Sequence, residues 1–159
     1  MKLIKTFLTL ALTGIFLAPA AIADDGTVGG YVAYIPGHTK EIVLPDGRKL
    51  VHTNLRGVLI EDDPKSPIHL LSQDCAGTDL IGSDGTPQQI GGACAAIDSD
   101  GDIMRISYLN TPPNGTWHYT GGTGKFAGVE GGGTSEVIAL GPDGRFTLRY
   151  QGKIILNSD

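Results

Sequence analysis

Three aspartates at alternate positions, Asp98, Asp100 and Asp102, are the densest set of candidate metal ligands in this 159-residue chain. Alternation could bring their carboxylates onto one Ca²⁺. A calcium loop, however, needs Gly at its sixth position and Glu at its twelfth. Ile103 and Leu109 stand there instead, so a hairpin tip rich in turn formers is expected. The four histidines, His38, His52, His69 and His118, lack the paired spacing of a zinc site. Gly122-Thr-Gly-Lys-Phe-Ala127 matches G-x-G-x-x-A, and Gly124-Lys125 has the look of a phosphate loop. A phosphate loop requires Ser or Thr after its lysine and a glycine five residues earlier, and here Phe126 and Tyr119 occupy those places. The dinucleotide motif requires a following helix, which Gly128 and Gly131 to Gly133 preclude. No metal and no cofactor is therefore expected. The chain also lacks the G-x-S-x-G elbow and the S-x-x-K pattern of serine hydrolases.

What remains is chemistry of binding. Small-molecule cavities combine aromatic walls with a few polar groups. Tyr108, Trp117, Tyr119 and Tyr150 are the candidate walls, with Arg105, Glu136 and Arg149 as polar anchors. The competing expectation is a closed core of rings inside a solvated, charged outer face.

The elements that must position these residues are read from the chain in order. Lys2 and Lys5, the apolar run Phe7 to Leu17 and Ala21-Ile22-Ala23 form a secretory signal peptide with cleavage expected after Ala23. The run is too short, and too soon followed by Asp24-Asp25, for a membrane anchor, so no membrane insertion is expected. Removing it leaves a single domain from Asp24 to Asp159. Of 12 basic residues two go with the leader, leaving 10 against 17 acidic ones, a net charge of −7. An acidic chain without a basic cluster excludes nucleic acid as a natural partner. Cys75 and Cys94 are the only cysteines. In an exported chain they read as a disulfide, since a redox or metal thiol pair would want C-x-x-C spacing. A periplasmic or secreted location follows from leader and bridge together.

Asp24 to Gly30 is expected to be loose or an edge strand. Short strands follow at Tyr31 to Ile35 and Glu41 to Leu44, divided by Pro36-Gly37, then a longer one from Lys49 to Ile60. Extended structure resumes at Ile68 to Leu71. The residues between the cysteines read as a surface loop tied at its base. Two hairpins come next. The first turns at Asp100-Gly101 and places Ala95, Ile97, Met104, Ile106 and Tyr108 on one face, with Arg105 and Ser107 on the other. The second turns at Gly141 to Gly144, setting Leu140 opposite Arg145, Ala139 opposite Phe146, Val137 opposite Leu148 and Ser135 opposite Tyr150. It also sets Glu136 against Arg149 on the outer face. Between the hairpins, Thr116 to Thr134 holds seven glycines interrupted by Trp117, Tyr119, Phe126 and Val129. Such a mixture suits bends and close backbone approach around a core. No stretch of the mature chain holds a helical period, and turn signals recur about every 8–12 residues, so an all-β barrel or sandwich is expected. The glycine excess favours a barrel.

Asp74-Cys75-Ala-Gly, Ala93-Cys94 with Asp98 to Asp102, Trp117, Gly121-Gly-Thr-Gly-Lys-Phe-Ala-Gly128 and Gly131-Gly-Gly-Thr134 occur in that order. Over roughly Gln73 to Tyr150 this resembles the calycin-like barrels of the allene oxide cyclase and dirigent superfamily, particularly its small exported bacterial members. The resemblance implies a closed, eight-stranded antiparallel barrel with a central cavity, and self-association through the outer wall as a homo-oligomer. Some members are cofactor-free cyclases, and dirigent members steer radical coupling without oxidising anything themselves. The family's catalytic polar residues find no match in Tyr31 to Ile60, so no catalytic residue is assigned. Three readings follow: a barrel binding a small apolar or aromatic molecule, a cofactor-free isomerase or cyclase, and a structural module with a filled barrel.

Overall fold

The computed structural model describes residues 23–112 and 114–157. The expected signal peptide lies, apart from Ala23, outside the described residues. Eight strands run up and down: β1 (Ala23–Val43), β2 (Lys49–Glu61), β3 (Ser72–Ile81), β4 (Pro87–Ile97), β5 (Ile103–Thr111), β6 (Asn114–Gly122), β7 (Glu130–Leu140) and β8 (Phe146–Asn157). Each pairs antiparallel with the next, and β8 pairs with β1 from Ala23↔Asn157 to Tyr34↔Phe146, which closes the barrel.

The chain reverses where its turn chemistry says it should. Asp46-Gly47, Asp84-Gly85, Asp100-Gly101 and Asp143-Gly144 end four of the tight connections, each glycine with φ between 80° and 89°. That left-handed conformation is open to glycine at no steric cost. Asp46, Asp84 and Asp143 each accept a hydrogen bond from the backbone N–H two residues on, at 3.0–3.2 Å, which holds the bend.

Several expectations are corrected. Asp24 to Gly30 is not loose: it opens β1, one long strand, and pairs with β8, while up to Gly29 its other side has no strand partner, as the edge alternative expects. Pro36-Gly37 does not end it; the register with β2 merely shifts between Pro36 and Thr39, as a residue without N–H requires. Ile68 to Leu71 is a turn rather than a strand. The segment between the cysteines is a hairpin, β3–β4, in which Cys75 and Cys94 are directly paired and disulfide-bonded. In the β4–β5 hairpin Ala96 and Cys94 face inward with Met104 and Ile106, where Ala95 and Ile97 were expected. The β7–β8 register follows the expected pairs Val137↔Leu148, Glu136↔Arg149 and Ser135↔Tyr150. Beyond Val137 it slips by one, giving Ala139↔Thr147 and Leu140↔Phe146.

One end of the barrel is plugged. Phe126, from the 3₁₀ turn Gly124–Phe126, packs with Val129, Ile68, Leu71, Met104 and Ala96, all buried. Leu70 takes φ 62° and stays exposed while its neighbours turn in, and the loop is docked by Leu59 N–H to Leu71 O at 3.0 Å. The aspartates of the β4–β5 turn fasten the plug. Asp98 Oδ2 lies 2.6 Å from Lys125 Nζ, and Asp102 Oδ2 accepts the Lys125 N–H at 3.0 Å. Asp98 Oδ1 accepts from the N–H groups of Asp100 and Asp102. This lysine holds Asp98 below the usual carboxylate range. The alternating carboxylates thus serve the turn and the floor.

Candidate functional site: the barrel cavity

Above the plug the interior stays open. A cavity of about 260 Å³ runs to the end that carries the β1–β2, β3–β4, β5–β6 and β7–β8 turns. Its wall combines Tyr34, Tyr108, Trp117, Tyr119, Phe146 and Tyr150 with aliphatic side chains such as Val32, Leu55, Leu59 and Ile106. Five of the rings form two groups: Trp117 meets Tyr119 and Tyr150 edge-on at centroid distances of 5.2 and 6.0 Å, and Tyr34 meets Phe146 at 5.0 Å. Trp117 Nε1 is not offered to the cavity; it donates to Thr134 O at 3.1 Å.

Glycines on neighbouring strands decide how these rings lie. Tyr150 on β8 pairs with Gly30 on β1, which pairs with Glu61 on β2. With no side chain at Gly30, the Tyr150 hydroxyl crosses the strand and donates to Glu61 Oε1. Tyr34 on β1 pairs with Gly57 on β2, which pairs with Gln73 on β3, and the Tyr34 hydroxyl reaches Gln73 Oε1 at 2.7 Å. Tyr108 on β5 lies over Gly92 and then Gly77, where an added Cβ would come within 2.6 and 2.4 Å of its hydroxyl. Trp117 leans the other way, towards Gly152, where a Cβ would stand 2.8 Å from the ring. A closed barrel crowds inward side chains. Leaving glycine beside these four rings lets them lie along the wall instead of filling the lumen.

The polar groups fall into two sets. At the plug side, Glu61 is 6% exposed and accepts from Tyr150 and from Gly29 N–H. Burial raises its pKa, with these hydrogen bonds opposing, and Tyr150 is raised by burial and by the carboxylate it faces. A carboxylate whose folded pKa lies above its unfolded value binds a proton more readily when folded. Its contribution is therefore fully present below the unfolded pKa and is lost as pH rises through the folded one. Glu61→Gln, which keeps an acceptor for Tyr150, should gain melting temperature relative to the wild type between pH 4 and pH 7. A constant difference across that window would show that Glu61 is not desolvated.

Nearer the mouth stand Asp79, Tyr108, Asn110 and Thr53. Burial raises the Asp79 pKa, with His52 opposing, and burial beside Asp79 pushes the Tyr108 hydroxyl up to about 12. Asn110 Oδ1 is buried with no hydrogen-bond partner among the described residues.

Tyr108, Trp117, Tyr119 and Tyr150 all line the cavity. Arg105, Glu136 and Arg149 do not, which corrects their assignment as anchors. Side chains alternate along a strand, and these three stand on the opposite face from their inward neighbours Ile106, Ser135 and Tyr150. Arg149 binds Asp62 through two hydrogen bonds, at 2.8 and 2.6 Å, and stacks 4.6 Å above the Tyr31 ring. Its partner is thus Asp62, not the Glu136 opposite it. Sequence reasoning missed Tyr34, Gln73, Asp79 and Glu61. Asp84-Gly85 was the available signal for the β3–β4 hairpin, and period-2 alternation from the cysteines then turns Gln73 and Asp79 inward with Cys75.

No family model matches the chain, and no curated protein matches it. Solved structures do, among them the pterocarpan synthase dirigent protein GePTS1, with a TM-score of 0.54 and 14% identity over 97% of this chain and 100% of that one. The pterocarpan synthase dirigent protein PsPTS1 matches with a TM-score of 0.53 and 16% identity over 86% of this chain and 97% of that one. The chain has the eight-stranded barrel fold of these dirigent proteins.

Proposed function

We propose that this chain binds a small, largely apolar or aromatic molecule in its barrel cavity. The open, ring-lined space above the Phe126 plug is the observation that carries the reading. Its 260 Å³ exceeds the roughly 150 Å³ of an engineered cavity that takes up benzene, and falls just below the roughly 300 Å³ lower bound of drug-sized sites. A molecule of one or two rings fits between those limits. A fully packed structural barrel has correspondingly less support. The test is a titration with naphthalene and 3-phenyl-1-propanol, followed by the emission of Trp117, the chain's one tryptophan, and by melting temperature. Saturable shifts are expected, and Ser135→Phe, which fills the lumen from its wall, should abolish them. If neither compound shifts emission or melting in the wild type, the reading fails.

A second reading, a cofactor-free isomerase or cyclase, is favoured by one observation: Tyr150 faces the cavity with the buried Glu61 behind it. A substrate proton could pass to Tyr150 Oη as the phenolic proton moves to Glu61, and return by the reverse path. Turnover of a bound compound, lost in Tyr150→Phe while binding persists, is its signature.

We also propose export, with the mature domain starting at Asp24. The disulfide and the leader sequence support it. Cleavage there leaves the β1–β8 pairing from Asp24↔Leu156 onward in place. Exported protein with another N-terminus, or none exported, counts against it.

A further inference from the structure

Asp79 is the one acid among the residues lining the cavity, and none of them is Lys, Arg or His. It belongs to none of the ion pairs among the described residues. The basic group that acts on it, His52, is exposed and one residue out of step with the inward-facing Thr53 of β2. A half-buried carboxylate with no countercharge inside an aromatic pocket is costly to keep for packing alone.

We propose that the cavity selects an organic ammonium, a small aromatic or aliphatic body carrying a primary amine, with the ammonium at Asp79. This rests on the cavity-binding reading above and specifies its ligand. An ammonium has three donors and no acceptor. The mouth offers it an acceptor in the Asp79 carboxylate, while the unpartnered Asn110 Oδ1 stands further round the same row, over Gly115. Tyr108 lies over Gly92 and Gly77, on the Asp79 side of the wall, and its ring attracts a cation held nearby. The apolar body then lies along the aliphatic wall towards the plug. A carboxylate ligand would meet Asp79 as a like charge.

The experiment compares three near-isosteric probes on the full mature chain by calorimetry at neutral pH: 3-phenylpropylamine, 3-phenyl-1-propanol and 3-phenylpropionate. The amine is expected to bind about tenfold or more tightly than the alcohol, as a charge-assisted hydrogen bond would give, and the propionate least. Within Asp79→Asn, the amine should bind no more tightly than the alcohol. The wild-type ranking stands on its own should that variant not fold. Alcohol binding with the amine equal to it or weaker overturns the ammonium assignment and leaves the cavity reading intact. Undiminished amine preference in a folded Asp79→Asn also overturns it. Binding of none of the three overturns the ammonium assignment, and the cavity reading falls with it if naphthalene is silent too.

Discussion

Gly30→Ala is expected to destabilise the barrel by about 3–5 kcal/mol, the loss associated with an uncompensated buried charge. Two effects coincide there. An added Cβ would stand 2.2 Å from Ile60 O and 2.8 Å from Glu61 Cα, backbone atoms of the paired strand that cannot swing away. It would also enter the gap through which Tyr150 reaches Glu61, stranding a carboxylate that is 6% exposed. Gly26→Ala, in the same strand, is the control. Its Cβ would meet only Ile154 Cγ2, at 3.6 Å, and should change stability by no more than about 0.5 kcal/mol. Urea unfolding of both variants decides the matter. Equal stabilities would mean that Gly30 is not the gap that joins Tyr150 to Glu61.

Phe126→Ala carries the other large effect. Its ring is fully buried, and removing such a ring typically costs about 3–5 kcal/mol. The chemistry around it predicts more than lost stability. The ring closes the barrel opposite the mouth, so its loss should lengthen the cavity and admit probes too long for the wild type. Phe126→Leu keeps most of the plug and should cost much less. The paired readouts are the urea midpoint and the longest straight-chain alcohol that raises the melting temperature. A loss below about 1 kcal/mol for the alanine variant, or an unchanged length limit, would show that the floor is held by Ile68, Leu71 and Met104 without it.

The glycine-rich stretch shows how far the sequence could be read. Its mixture of glycines and rings pointed to strands curled around a core, and β6, the plug and β7 bear that out. Several of its glycines, however, are neither turns nor hinges. Gly133 within it, like Gly152 on β8, is a paired strand residue beside Trp117, just as Gly77 and Gly92 are beside Tyr108. Nothing local marks such a glycine, because the ring it accommodates comes from another strand. The β4 face was misread for a related reason. Alanines at 93, 95 and 96 give no contrast between inside and outside, and only the pairing Ala96↔Met104 settles which alanine points in. Glu136 and Arg149 were paired correctly by register, yet Arg149 turns to Asp62, a residue 87 positions away.

What the amino-acid sequence determined by itself is what short-range chemistry controls. Asp-Gly turns, alternation along most strands, the absence of a helical period and an even cysteine count are all properties of neighbouring residues. Closure of the sheet, which the family resemblance implied, is borne out, but tertiary structure alone decided that one end is plugged while the other stays open and that Tyr150 meets Glu61 across Gly30. These depend on shear and stagger, which slide strands past one another until residues separated by 89 positions share one inward row. No local preference encodes that sum, because it is set by the closure of all eight strands together.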